Sequence, residues 1–286
     1  MKVLNLKKKL ILGTANFSQK YGADNIKLDL NEIKKVLNYA KHNNIKKIDT
    51  AHSYLNDINY INLLKNRFKI ITKITPNNNW SSSSFCEKWL INEIKYLDNN
   101  KIETILLHDV KVLFTNSGKK IFKNLENLKK KGYFKKIGVS IYELDCLKYL
   151  LSNYKFDIIQ CPYNILDKRV VSSGWLNILK KKGIEVHARS IFLQGLLVNK
   201  KVYKKSNFRK WKEKFSQWFY FLKERNISPI NYCLNDIFSH DFDQIIIGVN
   251  SYNNLKEILN FSLIKNNDKF NFRTKSLKLI DPRNWK

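Results

Sequence analysis

The side chains best suited to chemistry in this sequence are Asp49, Tyr54, Lys73 and His108. A carbonyl group that accepts a hydride becomes an alkoxide, and it needs a proton as its negative charge develops. Tyrosine is a weak acid, with an unperturbed pKa of about 10. A lysine ammonium beside it would lower that pKa, and a carboxylate would keep the lysine oriented and charged. Since a histidine could donate a hydrogen bond to the substrate oxygen, the four residues together suit carbonyl reduction.

Each of these residues is predicted at the end of a β-strand or a few positions beyond it. Asp49 ends the second predicted strand, and Tyr54 follows five residues later. Lys73 ends the third strand and His108 the fourth. Taken singly, Asp49 could be a helix cap, Tyr54 a packing residue and His108 a structural histidine. Their common position at the carboxyl ends of strands predicts that all four meet at one mouth.

The elements that would position these side chains alternate between strands and helices. Short apolar segments predict strands at residues 10–14, 45–51, 68–74, 102–108, 135–140, 157–160, 184–190 and 244–248. Helical spacing predicts helices at residues 30–42, with Asp29 as N-cap, and at 84–97, 144–151 and 253–264. Lysines followed by Gly132 and by Gly183 are typical helix endings. This alternation fits either a closed barrel or a doubly wound sheet.

The turn after the first strand favours the barrel. A doubly wound dinucleotide-binding sheet would carry a GxGxxG turn there, whereas residues 13–18 contain Gly13 as their one glycine. We therefore predict an α/β fold, a (β/α)8 TIM barrel of one domain, whose core spans residues 10 to about 265. Residues 198–241 form a helical insertion between the seventh and eighth strands, and its many aromatic side chains are expected to pack.

The charge of the chain raises a second class of function. Lys and Arg number 53 against 24 Asp and Glu, a formal net charge of +29, which usually points to nucleic acid or an anionic membrane. The lysines are dispersed, however, and many fall in the last turns of predicted helices, where the helix dipole favours them. No aromatic-interleaved basic cluster accompanies them. We therefore expect a solvated basic surface and no nucleic-acid partner.

Three further expectations concern metals, membranes and location. The four cysteines and five histidines show no metal-ligand spacing, so no metal site is predicted. No apolar stretch approaches the roughly 18 residues of a membrane span. The apolar segment after Lys7, Lys8 and Lys9 is too short for an export signal, and a cytoplasmic location is expected.

The sequence resembles the aldo-keto reductase family. The resemblance rests on short segments that occur in the family's order from residue 10 to about residue 260. They are Leu12-Gly13-Thr14, Ile48-Asp49-Thr50-Ala51 with Tyr54, Thr72-Lys73, Leu107-His108-Asp109, Gly138-Val139-Ser140, Gln160 with Tyr163-Asn164, Ser190 to Gly195, and Ile247-Gly248. The D-T-A-x-x-Y motif alone is moderately specific for the family, whereas the whole set of segments in this order is strong evidence for the resemblance.

The resemblance implies an NAD(P)H-dependent oxidoreductase that reduces an aldehyde, a ketone or a sugar-like carbonyl to an alcohol. It implies Tyr54 as the proton donor, with Asp49 and Lys73 as the pair that tunes it. His108 would orient the carbonyl. The alternative is a nicotinamide-binding regulatory or interaction subunit in which turnover is incidental, and the presence of all four residues favours the enzyme.

The same resemblance implies a dinucleotide bound across the barrel mouth. Ser140 and Gln160 match positions that hold the nicotinamide carboxamide. Residues 189–195 match the loop that wraps the pyrophosphate, and residues 248–254 match the region around the adenosine. The candidate cofactor residues are Gly13, Thr14, Ser140, Gln160, Arg189, Ser190, Phe192, Leu193, Gly195, Gly248 and Asn254.

Several positions depart from the family pattern. Ile141 stands where many relatives have asparagine, and Arg189 where many place an aromatic ring against the nicotinamide. Gly248 and Asn254 stand where cations often grip the 2′-phosphate of NADP. We therefore expect NADP or NAD as cofactor, with a weaker preference for NADP than the family usually has. Leu55 replaces the glycine that usually follows the tyrosine.

Overall fold

The computed structural model describes residues 6–54, 62–64, 67–97, 102–264 and 270–285, so the departure at Leu55 lies outside the described residues. Eight parallel strands pair in sequence order and close into a barrel through the pairing of the eighth with the first. The strands are β1 (Leu10–Gly13), β2 (Lys47–Asp49), β3 (Lys69–Ile74), β4 (Ile102–Leu107), β5 (Lys136–Ser140), β6 (Ile158–Pro162), β7 (Glu185–Arg189) and β8 (Gln244–Ile247). The (β/α)8 fold expected from the sequence is confirmed.

Helices alternate with these strands along the chain. They are α1 (Ala15–Ser18), α2 (Leu30–His42), α3 (Ser83–Tyr96), α4 (Gly118–Lys130), α5 (Leu147–Asn153), α6 (Arg169–Ser172), α7 (Trp175–Lys181), α8 (Lys212–Glu224), α9 (Pro229–Phe238), α10 (Tyr252–Leu259) and α11 (Leu277–Ile280). Within the described part of the chain, none of the helices combines the length and apolarity of a membrane crossing.

Helix α2 shows how the sequence specifies these elements. The Asp29 side chain accepts a hydrogen bond from the Glu32 amide at 2.8 Å, which caps the helix as predicted. Its buried residues follow helical spacing and are Ile33, Val36, Leu37 and Ala40. Helix α10, by contrast, ends at Leu259 rather than at the predicted residue 264, and Asn260 is its C-cap.

The segment between β7 and β8 contains α8 and α9, as the predicted insertion requires. Its largest aromatic side chain, Trp218, is fully buried and donates a hydrogen bond from Nε1 to the Leu197 carbonyl at 3.0 Å. The Trp218 ring stacks on Phe272, with the ring centroids 5.3 Å apart. Trp218 therefore serves packing, as do the buried rings of Phe215 and Phe219, whereas Tyr220 is exposed.

Strand alternation places the polar residues of the mouth above an apolar layer. Five buried residues from five strands form a cluster of their own: Ile11, Ile71, Leu106, Ile158 and Ile246. Successive side chains of a strand point to opposite faces, so residues two positions further on share the same face. Those residues are Gly13, Lys73, His108, Gln160 and Gly248. The apolar cluster is thus the floor of a polar site at the carboxyl ends of the strands.

Candidate active site at the barrel mouth

A cavity of about 390 Å³ opens at the carboxyl ends of the strands. Most of the candidate residues line it, namely Gly13, Thr14, Asp49, Tyr54, Lys73, His108, Ser140, Arg189, Ser190, Phe192, Gly195, Gly248 and Asn254. Gln160 and Leu193 are fully buried and lie behind this lining in the described structure. The cavity therefore collects residues from distant parts of the sequence into one mouth.

Asp49 and Lys73 form a buried ion pair beside the cavity. The side chains of Lys73 and Asp49 are 5% and 8% exposed, and the lysine ammonium donates to the Asp49 carboxylate. The ammonium also donates to the Thr50 carbonyl at 3.0 Å. Burial lowers the pKa of Lys73, and the adjacent carboxylate opposes that effect. Because a buried pair is stable only when its hydrogen bonds are satisfied, these contacts fix the geometry of both side chains.

Tyr54 lies above this pair. The short 3-10 turn His52–Tyr54 follows β2 and places the tyrosine ring centroid 6.0 Å from Lys73 Nζ and 6.3 Å from the ring centroid of His108. The four residues predicted to meet at the mouth are therefore close together in the structure.

The pKa of Tyr54 is shifted opposite to the expectation from the sequence, which was a lowering by Lys73. Burial raises the pKa of Tyr54 above its ordinary value, the neighbouring Tyr21 and Asp49 raise it further, and Arg189 lowers it in part. A phenolate in this pocket would lose water and face the Asp49 carboxylate, whose charge balances that of the lysine. Tyr54 is therefore protonated at neutral pH, which is the form that can donate a proton.

The turn that carries Tyr54 is tied to a neighbouring helix. His52 Nδ1 lies 2.8 Å from Oε2 of Glu93, a buried residue of α3. The hydrogen bond with Glu93 raises the pKa of His52. This contact holds the turn against the outside of the barrel, so α3 helps to position the tyrosine.

His108 is neutral at physiological pH. Burial, together with the cations Lys73 and Arg189, lowers its pKa to about 4. A neutral imidazole carries one N–H donor, which can face an oxygen in the cavity. The backbone amide of His108 donates to the Ile74 carbonyl at 2.7 Å, which fixes the residue at the end of its strand.

A chain of hydrogen bonds links the fifth and sixth strands to the ion pair. The Ser140 hydroxyl donates to Gln160 Oε1 at 3.2 Å, and Gln160 Nε2 donates to Asp49 Oδ2 at 2.8 Å. Gly138 permits this close approach of the strands, because a Cβ there would lie 2.4 Å from the Ile158 carbonyl oxygen. The carboxamide of Gln160 therefore connects Ser140 rigidly to the acid–base residues.

The loop after β7 has an unusual backbone. Ser190, Leu193 and Gln194 have φ values of 61°, 45° and 52°, and Gly195 has 92°, all in the left-handed region. The amides of Ile191 and of Phe192 donate no hydrogen bond within the described part of the chain. Backbone turns of this kind present N–H groups to anions, so the loop is suited to a phosphate group.

The residues after β8 form the far side of the cavity. Ser251 caps α10 by accepting from the Asn254 amide at 3.0 Å, and the Asn254 side chain accepts from the Asn250 amide at 3.2 Å. A Cβ at Gly248 would meet nothing within 4 Å, so this position leaves open space. The carboxylate residue Glu257, one turn further along α10, also lines the cavity.

The sequence did not single out several of the lining residues, among them Tyr21, Tyr142 and Glu257. The signal for Glu257 was its position three residues after Asn254 on a predicted helix, where both share one face. Tyr142 has no comparable signal, because it follows β5 in an irregular segment and packs against Arg189 from another strand.

Comparisons with known proteins agree with this fold. The sequence profile described as the Aldo/keto reductase family matches residues 9–278. No curated protein sequence matches the chain. Similar solved structures include aldo-keto reductase AKR11C1 from Bacillus halodurans in its holo form, which is 17% identical with a TM-score of 0.69 over 90% of this chain and 88% of that chain.

Two other structures extend the comparison. The glycerol dehydrogenase AKR11B4 from Gluconobacter oxydans is 17% identical, with a TM-score of 0.64 over 90% of this chain and 88% of that chain. The aldo-keto reductase AKR2E5 of the silkworm Bombyx mori, complexed with NADPH, is 18% identical, with a TM-score of 0.62 over 90% of this chain and 81% of that chain. At these identities the structures show the same fold, and the profile match over nearly the whole sequence shows that the chain belongs to the aldo/keto reductase family of oxidoreductases.

Proposed function

We propose that the chain, acting as one barrel domain, reduces an aldehyde, ketone or sugar-like carbonyl to an alcohol with a reduced nicotinamide dinucleotide. The observation that carries the proposal is the group of four polar side chains that line the cavity, namely Asp49, Tyr54, Lys73 and His108. There a protonated Tyr54 lies beside the buried pair of Lys73 and Asp49 and faces a neutral His108. A proton donor, a cation that can stabilise its conjugate base and a hydrogen-bond donor for an oxygen therefore share one pocket.

The roles of these residues follow from their charges. A bound nicotinamide dinucleotide supplies the hydride that reaches the carbonyl carbon. The Tyr54 hydroxyl donates its proton to the carbonyl oxygen as negative charge develops there. His108 donates a hydrogen bond to the same oxygen and orients it. The ammonium of Lys73 stabilises the phenolate that Tyr54 becomes, and Asp49 holds the ammonium in position.

We assign the dinucleotide to this cavity, with its nicotinamide end beside Tyr54 and His108. We assign the Ser140 hydroxyl to the nicotinamide carboxamide, with Gln160 hydrogen-bonded behind it rather than in direct contact. The amides of Ile191 and Phe192, in the loop with the left-handed backbone, would hold the pyrophosphate. Gly13 and Thr14 on one side, and Gly248 with Asn254 on the other, complete the wall. The NADPH complex of AKR2E5 and the holo form of AKR11C1 support this assignment by their fold.

The decisive variant is Tyr54→Phe, which keeps the ring and removes the proton donor. Its turnover should fall by roughly 10²–10⁴, the usual contribution of general acid catalysis. Consumption of NADH and of NADPH is followed by absorbance with a panel of aldehydes, ketones and sugars, and cofactor binding is measured separately by fluorescence titration. Tyr220→Phe, at a tyrosine that is 64% exposed on α8, is the matched control.

The possible outcomes distinguish the role of Tyr54 from the existence of the cofactor site. Cofactor binding that survives in Tyr54→Phe together with a lost turnover supports the proposal. Full turnover in that variant would show that another group donates the proton. Absence of binding of either reduced cofactor to the unaltered protein would contradict the nicotinamide site itself.

A further inference from the structure

The guanidinium group of Arg189 is fixed at the mouth by neutral partners. Its Nε donates to Ser140 Oγ at 3.3 Å. Its terminal nitrogens donate to Ser190 Oγ at 3.3 Å and to the Ile141 carbonyl at 2.9 Å. The group also stacks on the ring of Tyr142, with its central carbon 3.9 Å from the ring centroid. These contacts orient the guanidinium. Because the partners are neutral, they do not offset its positive charge.

No carboxylate of the described residues lies within ion-pair distance of Arg189. The other cation of the mouth, Lys73, is paired with Asp49. Asp24 and Glu257 also line the cavity, and neither forms an ion pair with the guanidinium. The buried carboxylate of Asp281 interacts electrostatically with Arg189 but is itself paired with Arg283. Because His108 is neutral, Arg189 is the cation without an ion-pair partner among the described residues around Tyr54 and His108.

This charge acts on the groups around it. Arg189 lowers the pKa values of Tyr54, Lys73 and His108, three groups that lie across the mouth from it. A cation lowers a neighbour's pKa because it disfavours the more positive form of that neighbour. The same field disfavours any new positive charge that enters the mouth.

Nicotinamide introduces such a charge in one of its two redox forms. The oxidised ring carries a positive charge, whereas the reduced ring is neutral. An aromatic side chain would attract the oxidised ring through the negative face of its π-system. A guanidinium is positively charged and would therefore repel the oxidised ring. Ser140, which we assign to the carboxamide, is hydrogen-bonded to Arg189, so the nicotinamide and the guanidinium are neighbours at this site.

We propose that Arg189 makes the site bind the reduced dinucleotide in preference to the oxidised one, an inference that rests on the proposed function. The oxidised product is repelled and therefore leaves the site more readily than the reduced form. Arg189 is in this sense a specificity-determining residue for the redox state of the cofactor.

The size of the effect follows from Coulomb's law. At an effective dielectric constant of about 20, two like charges about 6 Å apart change a binding ratio by about 100-fold. Screening by salt at the open mouth reduces this figure, so we expect a ratio of dissociation constants, oxidised over reduced, of about 10 to 100.

The test compares dissociation constants of the four forms NADH, NAD⁺, NADPH and NADP⁺ by calorimetry at pH 7. The proteins are the unaltered chain, Arg189→Gln, Arg189→Lys and the exposed control Arg209→Gln. We expect the ratio to fall toward 1 in Arg189→Gln, mainly through tighter binding of the oxidised form. Arg189→Lys should keep most of the ratio because it keeps the charge, and Arg209→Gln should keep all of it.

A ratio has the advantage that altered folding affects both redox forms alike. Equal affinities for both forms in the unaltered protein would overturn the inference while leaving the proposed function intact. An unchanged ratio in Arg189→Gln would do the same. If neither redox form of either dinucleotide binds the unaltered protein, it is the proposed function that fails.

Discussion

At the scale of single residues, His108 makes the stability of the folded protein depend on pH. Its pKa in the folded protein is about 4, whereas a free histidine has about 6.5. The unfolded chain therefore binds more protons than the folded one between these values, so the folded protein loses stability as the pH falls through that window. Above pH about 7 both states hold a neutral imidazole, and this contribution stays constant.

We expect urea unfolding to show a smaller free energy at pH 5 than at pH 7, and His108→Gln to remove part of that difference. His42→Gln, at the exposed end of α2, is the control. An NMR titration of the His108 ring measures its pKa directly. Titration near the value of a free histidine would mean that the ring is not desolvated by the cavity.

The acid–base residues could be predicted from the sequence because they depend on local position. Residues near the carboxyl ends of barrel strands lie at the level of the mouth, and strand alternation decides which of them point into it, as Asp49, Lys73 and His108 do. The sign of the Tyr54 pKa shift could not be predicted in this way. It depends on how much water the folded cavity excludes and on Tyr21 from a separate loop, neither of which spacing reveals.

At the scale of elements, the contact between β5 and β6 is the part of the site most sensitive to a larger side chain. A Cβ added at Gly138 would lie 2.4 Å from the Ile158 carbonyl oxygen and 2.7 Å from Leu106 Cδ2. The strands must separate to admit it, and overpacking of this kind costs about 1–3 kcal/mol. Ser140 and Gln160 would move with the strands, since both lie at the ends of this pair.

We therefore expect Gly138→Ala to lower the melting temperature and to weaken cofactor binding together. Gly248→Ala is the matched comparison, because its Cβ would meet nothing within 4 Å. That variant should keep the melting temperature of the unaltered protein, as measured by calorimetry. A Gly138→Ala protein as stable as Gly248→Ala would show that the barrel absorbs the added methyl group.

Element boundaries show where sequence patterns stop being informative. The Asp29 cap and the apolar spacing of α2 give both of its ends, because capping and amphipathicity are local properties. The stacking of Arg189 on Tyr142 is not local. It joins the end of β7 to the segment after β5, and Arg283 from the C-terminal region lies 3.9 Å from the centroid of the same ring. A contact among three distant segments exists only in the folded barrel.

At the scale of the whole molecule, the charge of +29 bears on cofactor choice. A 2′-phosphate carries close to two negative charges, and a general basic field attracts it only in a salt-dependent way. Near α10 the cavity is lined by Gly248, Asn254 and Glu257, and Lys256 is not among the described lining residues. In the region that we propose for the 2′-phosphate, the cavity therefore provides an acid where binding of that group would need a cation.

We expect NADPH and NADH to bind with dissociation constants within about tenfold of each other, since one charge-assisted hydrogen bond is worth about 1.5–3 kcal/mol and none is evident here. Glu257→Gln should strengthen NADPH binding relative to NADH. Parallel titrations at low and high salt separate local contacts from the general field. A thousandfold advantage of NADPH that persists in high salt would show that a local cation grips the 2′-phosphate.

The closure of the barrel between its first and last strands has a consequence for how the protein matures. β1 pairs with β8, and Asn16 donates from Nδ2 to the Val249 carbonyl at 2.6 Å across this seam. The cavity is walled on one side by residues 13–16 and on the other by residues 248–250. During synthesis the two sides are separated by more than two hundred residues, and contacts of such long range form late in folding. A growing chain thus has no complete pocket for the proposed cofactor until the eighth strand joins the first, and occupancy of that pocket would mark a barrel that has finished folding.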